Sequence, residues 1–326
     1  MAIQDQAILF SKESAYATTG TFTNAYEGKA DSFKRANEYL ESNGFRAGMQ
    51  TKQAGCRMIA INMGGEGSLE IDVLNKGFGF LAQAMLGSAS GPTQIDVTDA
   101  YQSTHASATG ASTDSFSIQV LRDRVGGTIQ AFTHKGCVVT GWSLEQQVGG
   151  LLTANVDFDF QDVVTSVAAA TPVYPTDACP FSYTQGTVSV DGTDMDLTSF
   201  SLSAALGMKT DRRFIRGSSL KRQPVRSSVP EYTGEISLEY RDNVLYDLFV
   251  SGDKVPVVAT WTGEEIDSGE FFEVKVTMPS VIFTGDSPVS SLSDVSMQSS
   301  PFTVLHDIDN DLDAVTVEIT SSDTSF

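Results

Sequence analysis

The chain has 326 residues, with 41 Asp and Glu against 21 Lys and Arg, a net charge of −20, and 40% apolar residues. That balance excludes a protein whose whole surface grips nucleic acid by neutralising phosphates, and no apolar run approaches the roughly 20 residues needed to span a bilayer as a helix. Cys56, Cys137 and Cys179 cannot all pair within one chain and none stands in a CxxC spacing, so neither a disulfide framework nor a zinc site is expected.

At the N-terminus, MAIQDQAILFSK lacks the basic start and apolar core of a signal peptide, and the chain is expected to accumulate in the cytoplasm where it is made. The segment DSFKRANEYLESNG, residues 31–44, reads two ways: Asp31 or Ser32 suits a helix cap, whereas the matching stretch around Ser199 and Phe200 reads as strand. Next comes GEGSLE, Gly65 to Glu70, whose alternation predicts a strand. Leu74, Phe78, Leu81 and Met85 then predict a short amphipathic helix stopped by Gly87. The same succession returns 169 residues later as GEISLE, Gly234 to Glu239, followed by Val244, Leu245, Leu248, Phe249 and Gly252. Around these landmarks, SFSIQV, KGCVVTGWSL, TANVDFDF, TVSVDG, PVVATW, FFEVKVTM and AVTVEI alternate with period two, the pattern of half-buried antiparallel strands. The fold class expected is therefore mainly β, with two tandem copies of a β-sandwich or β-barrel unit, each carrying one short helix. The first copy takes residues 1–165 and the second 181–326. A linker of small residues and prolines, 166–180, joins them.

Charge is distributed unevenly. Residues 207–231 hold seven basic side chains, Lys209, Arg212, Arg213, Arg216, Lys221, Arg222 and Arg226, against Asp211 and Glu231. A long basic loop inside an acidic protein suits docking onto an acidic surface of another copy. Its first-half counterpart, residues 43–57, is also basic, with Arg46, Lys52 and Arg57. In VDFDF, Asp157 and Asp159 share one strand face and Val156, Phe158 and Phe160 the other. No catalytic constellation is legible: His105, His134 and His306 are far apart and read as exposed or incidental, and there is no HExxH, GxSxG or P-loop. DIDNDLDAVTVE, from Asp307, spaces its acids like a calcium loop but has Leu312 where the loop needs glycine, and a turn before the last strand is expected. No catalytic residue, metal or cofactor is assigned.

KGCVVTGWSLEQQVGGLLTANVDFDFQD, KESAYATTGTF, PFSYTQGTVSVDGT and SFSLSAALGMKTDRRF together resemble the tail tube proteins of long-tailed bacteriophages. The resemblance implies a structural, non-enzymatic virion protein of the phage tail, built in the host cytoplasm. Its subunits self-associate into rings that share an inner β-barrel, and the rings stack into a hollow tube through which DNA passes without specific binding. It further implies tape measure, terminator and baseplate proteins as partners, and a loop between two strands that reaches the adjacent ring, the place that Lys209 to Arg226 and Arg46, Lys52 and Arg57 occupy here. Six units close a ring in that family, so two units per chain imply three chains and a pseudo-sixfold ring, with six chains as the competing arrangement. Asp157 and Asp159 face either the lumen or the outer solvent. A terminal-ring or baseplate protein and a β-sandwich adhesin are the other readings of the same fold.

Overall fold

The structure, a computed structural model, describes residues 6–42, 47–48, 57–107, 114–285, 295–308 and 310–326. Antiparallel strands dominate because the alternating segments each have one apolar face to bury. The first half runs β1 (Ala7–Lys12), β2 (Asn24–Tyr26), β3 (Gly28–Asp31), β4 (Lys34–Glu41), β5 (Met58–Asp72), helix α1 (Phe78–Leu86), β6 (Gly87–Gln94), β7 (Tyr101–Ser107), β8 (Phe116–Asp123), β9 (Ile129–Gln147), β10 (Thr153–Phe160) and β11 (Asp162–Val164). The second runs β12 (Gly186–Val190), β13 (Thr193–Met195), β14 (Leu197–Ala205), β15 (Met208–Lys209), β16 (Val225–Arg226), β17 (Glu231–Glu239), α2 (Val244–Ser251), β18 (Val255–Asp267), β19 (Glu270–Phe283), β20 (Met297–Val304) and β21 (Thr316–Ser321). The 31–44 segment, open between helix and strand in the sequence, is strand through most of its length, as β4.

One pairing order occurs in both halves. In the first, β2–β1–β8–β9 forms one sheet with β11 on the start of β9, and β4–β5–β10–β9 forms a second. In the second half the orders are β13–β12–β18–β19, with β21 on β19, and β14–β17–β20–β19. Both long strands, β9 and β19, pass from one sheet to the other, and a bulge loosens the β9 pairing beside Asp157. Both helices stop at a left-handed glycine, Gly87 (φ 84°) and Gly252 (φ 69°), as their positions in the sequence predict.

Two further pairings tie the halves together: β14 lies along β9, and β21 lies along β7 of the β6–β7 hairpin. A single apolar core runs through both, with Phe10, Phe158, Phe160, Trp142, Trp261 and Phe302 all buried. Residues of the linker lie against the first half, where Asn75 and Cys179 exchange hydrogen bonds at 2.9 Å through backbone and side chain. Cys137 is a buried core residue, whereas Cys179 is exposed. His105 and His134, read as exposed or incidental in the sequence, are buried in the core. Asp307 and Leu312 close a tight turn before β21, with Leu312 N donating to Asp307 O at 3.1 Å. Among the described residues no helix is long and apolar enough to cross a membrane.

Candidate functional site

The β14–β9 pairing fuses one sheet of each half into a continuous surface, β4–β5–β10–β9–β14–β17–β20. One of its faces is core: Leu69, Val156, Leu144, Leu202 and Ile236 are buried. The other face is polar in register across every strand. Asp157 stands opposite Ser68, and Asn155 opposite Glu70 and Ser143. Glu145 is opposite Ser201, which in turn is opposite Glu235. Glu66, Glu70, Glu145, Asp157 and Glu235 are exposed on it, and β10, β14, β17 and β20 contain no Lys or Arg at all. Burial, and secondarily the charge of Glu66, raises the Asp157 carboxyl above its ordinary range.

Cations meet this face at its two ends and on its edge strand, where exposed Lys34 of β4 stands opposite Glu66. Lys29 pairs with Asp72 at 2.5 Å at one end. At the other end, where β14 hands over to β17, the basic loop of residues 207–231 folds back onto the first half. Its Ser219 O accepts from Met63 N at 3.0 Å, and Arg213 Nη1 donates to both Met63 O and Ser219 O at 3.0 Å. Lys221 lies over β10 and forms a buried ion pair with Asp159, with Nζ also 3.2 Å from Gly65 O. Lys221 is thus not presented to another molecule, as its place in the loop suggests; it fastens the loop to its own chain. Asp159, on the same strand face as Asp157, is correspondingly covered. Its pKa is pushed up to about 6, because burial outweighs the opposing pull of Lys221.

The remaining loop cations stay nearer the surface. Arg212 donates to Gln223 O and Arg216 to Leu220 O, each at 2.7 Å, while Lys209 faces Asp211 at 3.7 Å. Arg222 is exposed, and Arg226 is half-buried on the short β16. Arg57 sits at the described base of the β4–β5 hairpin tip, donating to Ser42 Oγ at 3.0 Å, whereas Arg46 and Lys52 lie outside the described residues. What sequence reasoning missed is the role of the serines and threonines: Ser68, Ser143, Ser201, Ser203 and Thr233 complete the polar face. Their signal was present, since each alternates with a core residue.

A family model described as phage tail tube protein matches residues 3–304. The chain belongs to the phage tail tube family. No curated protein gives a significant match. Tail tube membership makes the chain a structural component of a phage virion tail, one that assembles with itself and associates with other tail proteins.

Proposed function

We propose that the acidic, hydroxyl-rich sheet face is the wall of the tail lumen. In this reading the chain is two copies of one β-unit, residues 1–165 and 181–326 with the linker between, and three chains close a pseudo-sixfold ring. The β9–β14 junction inside the chain is the pattern for the junction between chains. β4, at the border of the sheet with only β5 beside it among the described strands, is the edge offered to the neighbour. Rings stack into a hollow conduit for DNA ejection, with Lys209, Arg212, Arg213, Arg216, Arg222 and Arg226 at the end of the sheet nearest the next ring.

The observation that carries this reading is the uniform polarity of one face over both halves. A wall whose strands β5, β10, β14, β17 and β20 carry no Lys or Arg releases few counterions from a passing phosphate backbone, so DNA slides over it without being held. Electron microscopy of the purified protein at high concentration, with end-on averaging, tests it. Hollow tubes with threefold-modulated, near-sixfold rings are expected. Persistent monomers, or closed rings that never stack, would overturn it in favour of an adhesin or a terminal ring.

A further inference from the structure

The basic loop and a large open groove lie at opposite ends of the same two strands, β14 and β17. The loop joins the end of β14 at Ala205 to the start of β17 at Glu231. The groove lies beyond the start of β14 and the end of β17, against the first turn of α2, and encloses about 850 Å³. Its apolar lining includes Leu197, Tyr240 and Val244, and its charged lining is Asp194, Asp196, Glu239 and Asp242, with Arg241 as the one cation. Arg241 is itself held by Asp196 at 3.3 Å. The equivalent cleft of the first half, beside α1, has Tyr174 and Pro175 of the linker set into it and is divided into spaces of about 20 and 230 Å³. The second half has no such segment against its groove among the described residues.

The loop carries the complementary chemistry, apolar residues flanked by cations. Within it Phe214 is 55% exposed and Ile215 fully exposed, an apolar pair set between Arg212, Arg213 and Arg216. The Arg212 guanidinium lies over the Phe214 ring, 5.8 Å from its centroid, so the pair is stiffened where it projects. Apolar surface of this kind on a loop tip marks a contact.

Resting on the reading that this chain self-assembles, we propose that the groove beside α2 receives the Phe214–Ile215 tip of a second copy, with the flanking arginines over the groove's carboxylates. Opposite charge at the two ends makes the contact head-to-tail. Such a contact repeats along an axis instead of closing on itself.

Two variants with one introduced cysteine, Ile215→Cys and Val244→Cys, each in a Cys56→Ser, Cys179→Ser background that keeps only the buried Cys137, are mixed under mild oxidation; a Val97→Cys variant, altered at another exposed site, replaces either as control. A seated tip raises the local thiol concentration, so the mixture cross-links about tenfold more than either control pairing. Ile215 is fully exposed, so Ile215→Asp leaves the fold intact by circular dichroism, and it raises the concentration needed for assembly about tenfold. Tubes that form with no cross-link above control would overturn the groove contact and leave the tube function standing. Failure to self-associate at any concentration would overturn both.

Discussion

The two halves treat the same insertion point differently. In the first, β4 and β5 continue past the body of the sheet as a hairpin whose outer strand, Lys34 to Leu40, is exposed throughout. In the second, β14 ends at Ala205, β17 starts at Glu231, and only the two-residue strands β15 and β16 lie between. The saved length becomes a loop that settles on the root of the first half's hairpin, at Met63, Gly65 and Asp159. A projecting hairpin has no core of its own and is oriented by what holds its root. The halves are therefore complementary: one reaches out and the other braces it.

The largest effect expected from breaking this brace is at Lys221. Lys221→Met leaves the Asp159 carboxylate buried without its partner, and loss of one member of a buried pair costs on the order of 3 kcal/mol. Chemical denaturation should show a lower midpoint. Hydrogen exchange should quicken at Met63–Gly65 more than in β18 and β19. The double variant Lys221→Met with Asp159→Asn recovers much of the loss, since no orphan charge remains. An unchanged midpoint in the single variant would mean that the loop does not brace the hairpin.

Acid separates the halves in another way. His105 and His134 both belong to the first half, and burial lowers each to about 4, well under its ordinary 6.5. A depressed histidine contributes stability that is complete above pH 6.5 and is lost as pH falls through 4, roughly 3 kcal/mol for each at about 1.4 kcal/mol per pKa unit. Asp159 has the opposite sign. Raised from 3.8 to about 6, it favours the folded state increasingly as pH falls from 6 towards 4 and offsets roughly the loss from one histidine. The net expectation between pH 7 and pH 4 is a loss of about 3 kcal/mol. It should appear first in the strands around His134 and His105, β8, β9 and β7, as earlier loss of exchange protection than in β18 and β19. Stability that rises steadily to pH 4 would contradict the burial of these imidazoles.

Much of this was legible in the sequence because strand alternation reports local burial. GEGSLE and GEISLE marked β5 and β17, and the stopping glycines marked both helix ends. Alternation also separated Asp157 and Asp159 from Val156 and Phe158. It could not show that Lys221, 62 residues away, lies over Asp159 and covers it, because that contact depends on how the loop returns to the first half. The same limit hid the cross-pairing of β14 with β9, on which the continuous polar face depends: a strand's pattern says which face is buried, not which neighbour it meets. His105 and His134 illustrate a third limit. Each is buried by packing, His105 against Phe326 and His134 against Phe33 and Phe160, and no local motif announces either contact.

The smallest of these effects bears most directly on the likeness of the halves. Gly65 and Gly234 open the two hexapeptides, and each is crossed by a phenylalanine ring from the neighbouring strand, Phe160 over Gly65 and Phe302 over Gly234. A Cβ at either position would fall on that ring and on a backbone carbonyl, of Lys34 in the first case and Ser201 in the second. Gly65→Ala and Gly234→Ala should therefore each cost about 1–3 kcal/mol through overpacking of a filled core. Shortening the ring isolates the cause: Phe160→Leu should reduce the penalty of Gly65→Ala, and Phe302→Leu that of Gly234→Ala, giving favourable coupling in both double-mutant cycles. Equal coupling in the two halves would mean that the hexapeptides recur because one ring-over-glycine contact is built twice. Coupling in only one half would reduce the repeat to a likeness of strand pattern, with the second glycine retained for its backbone contact alone.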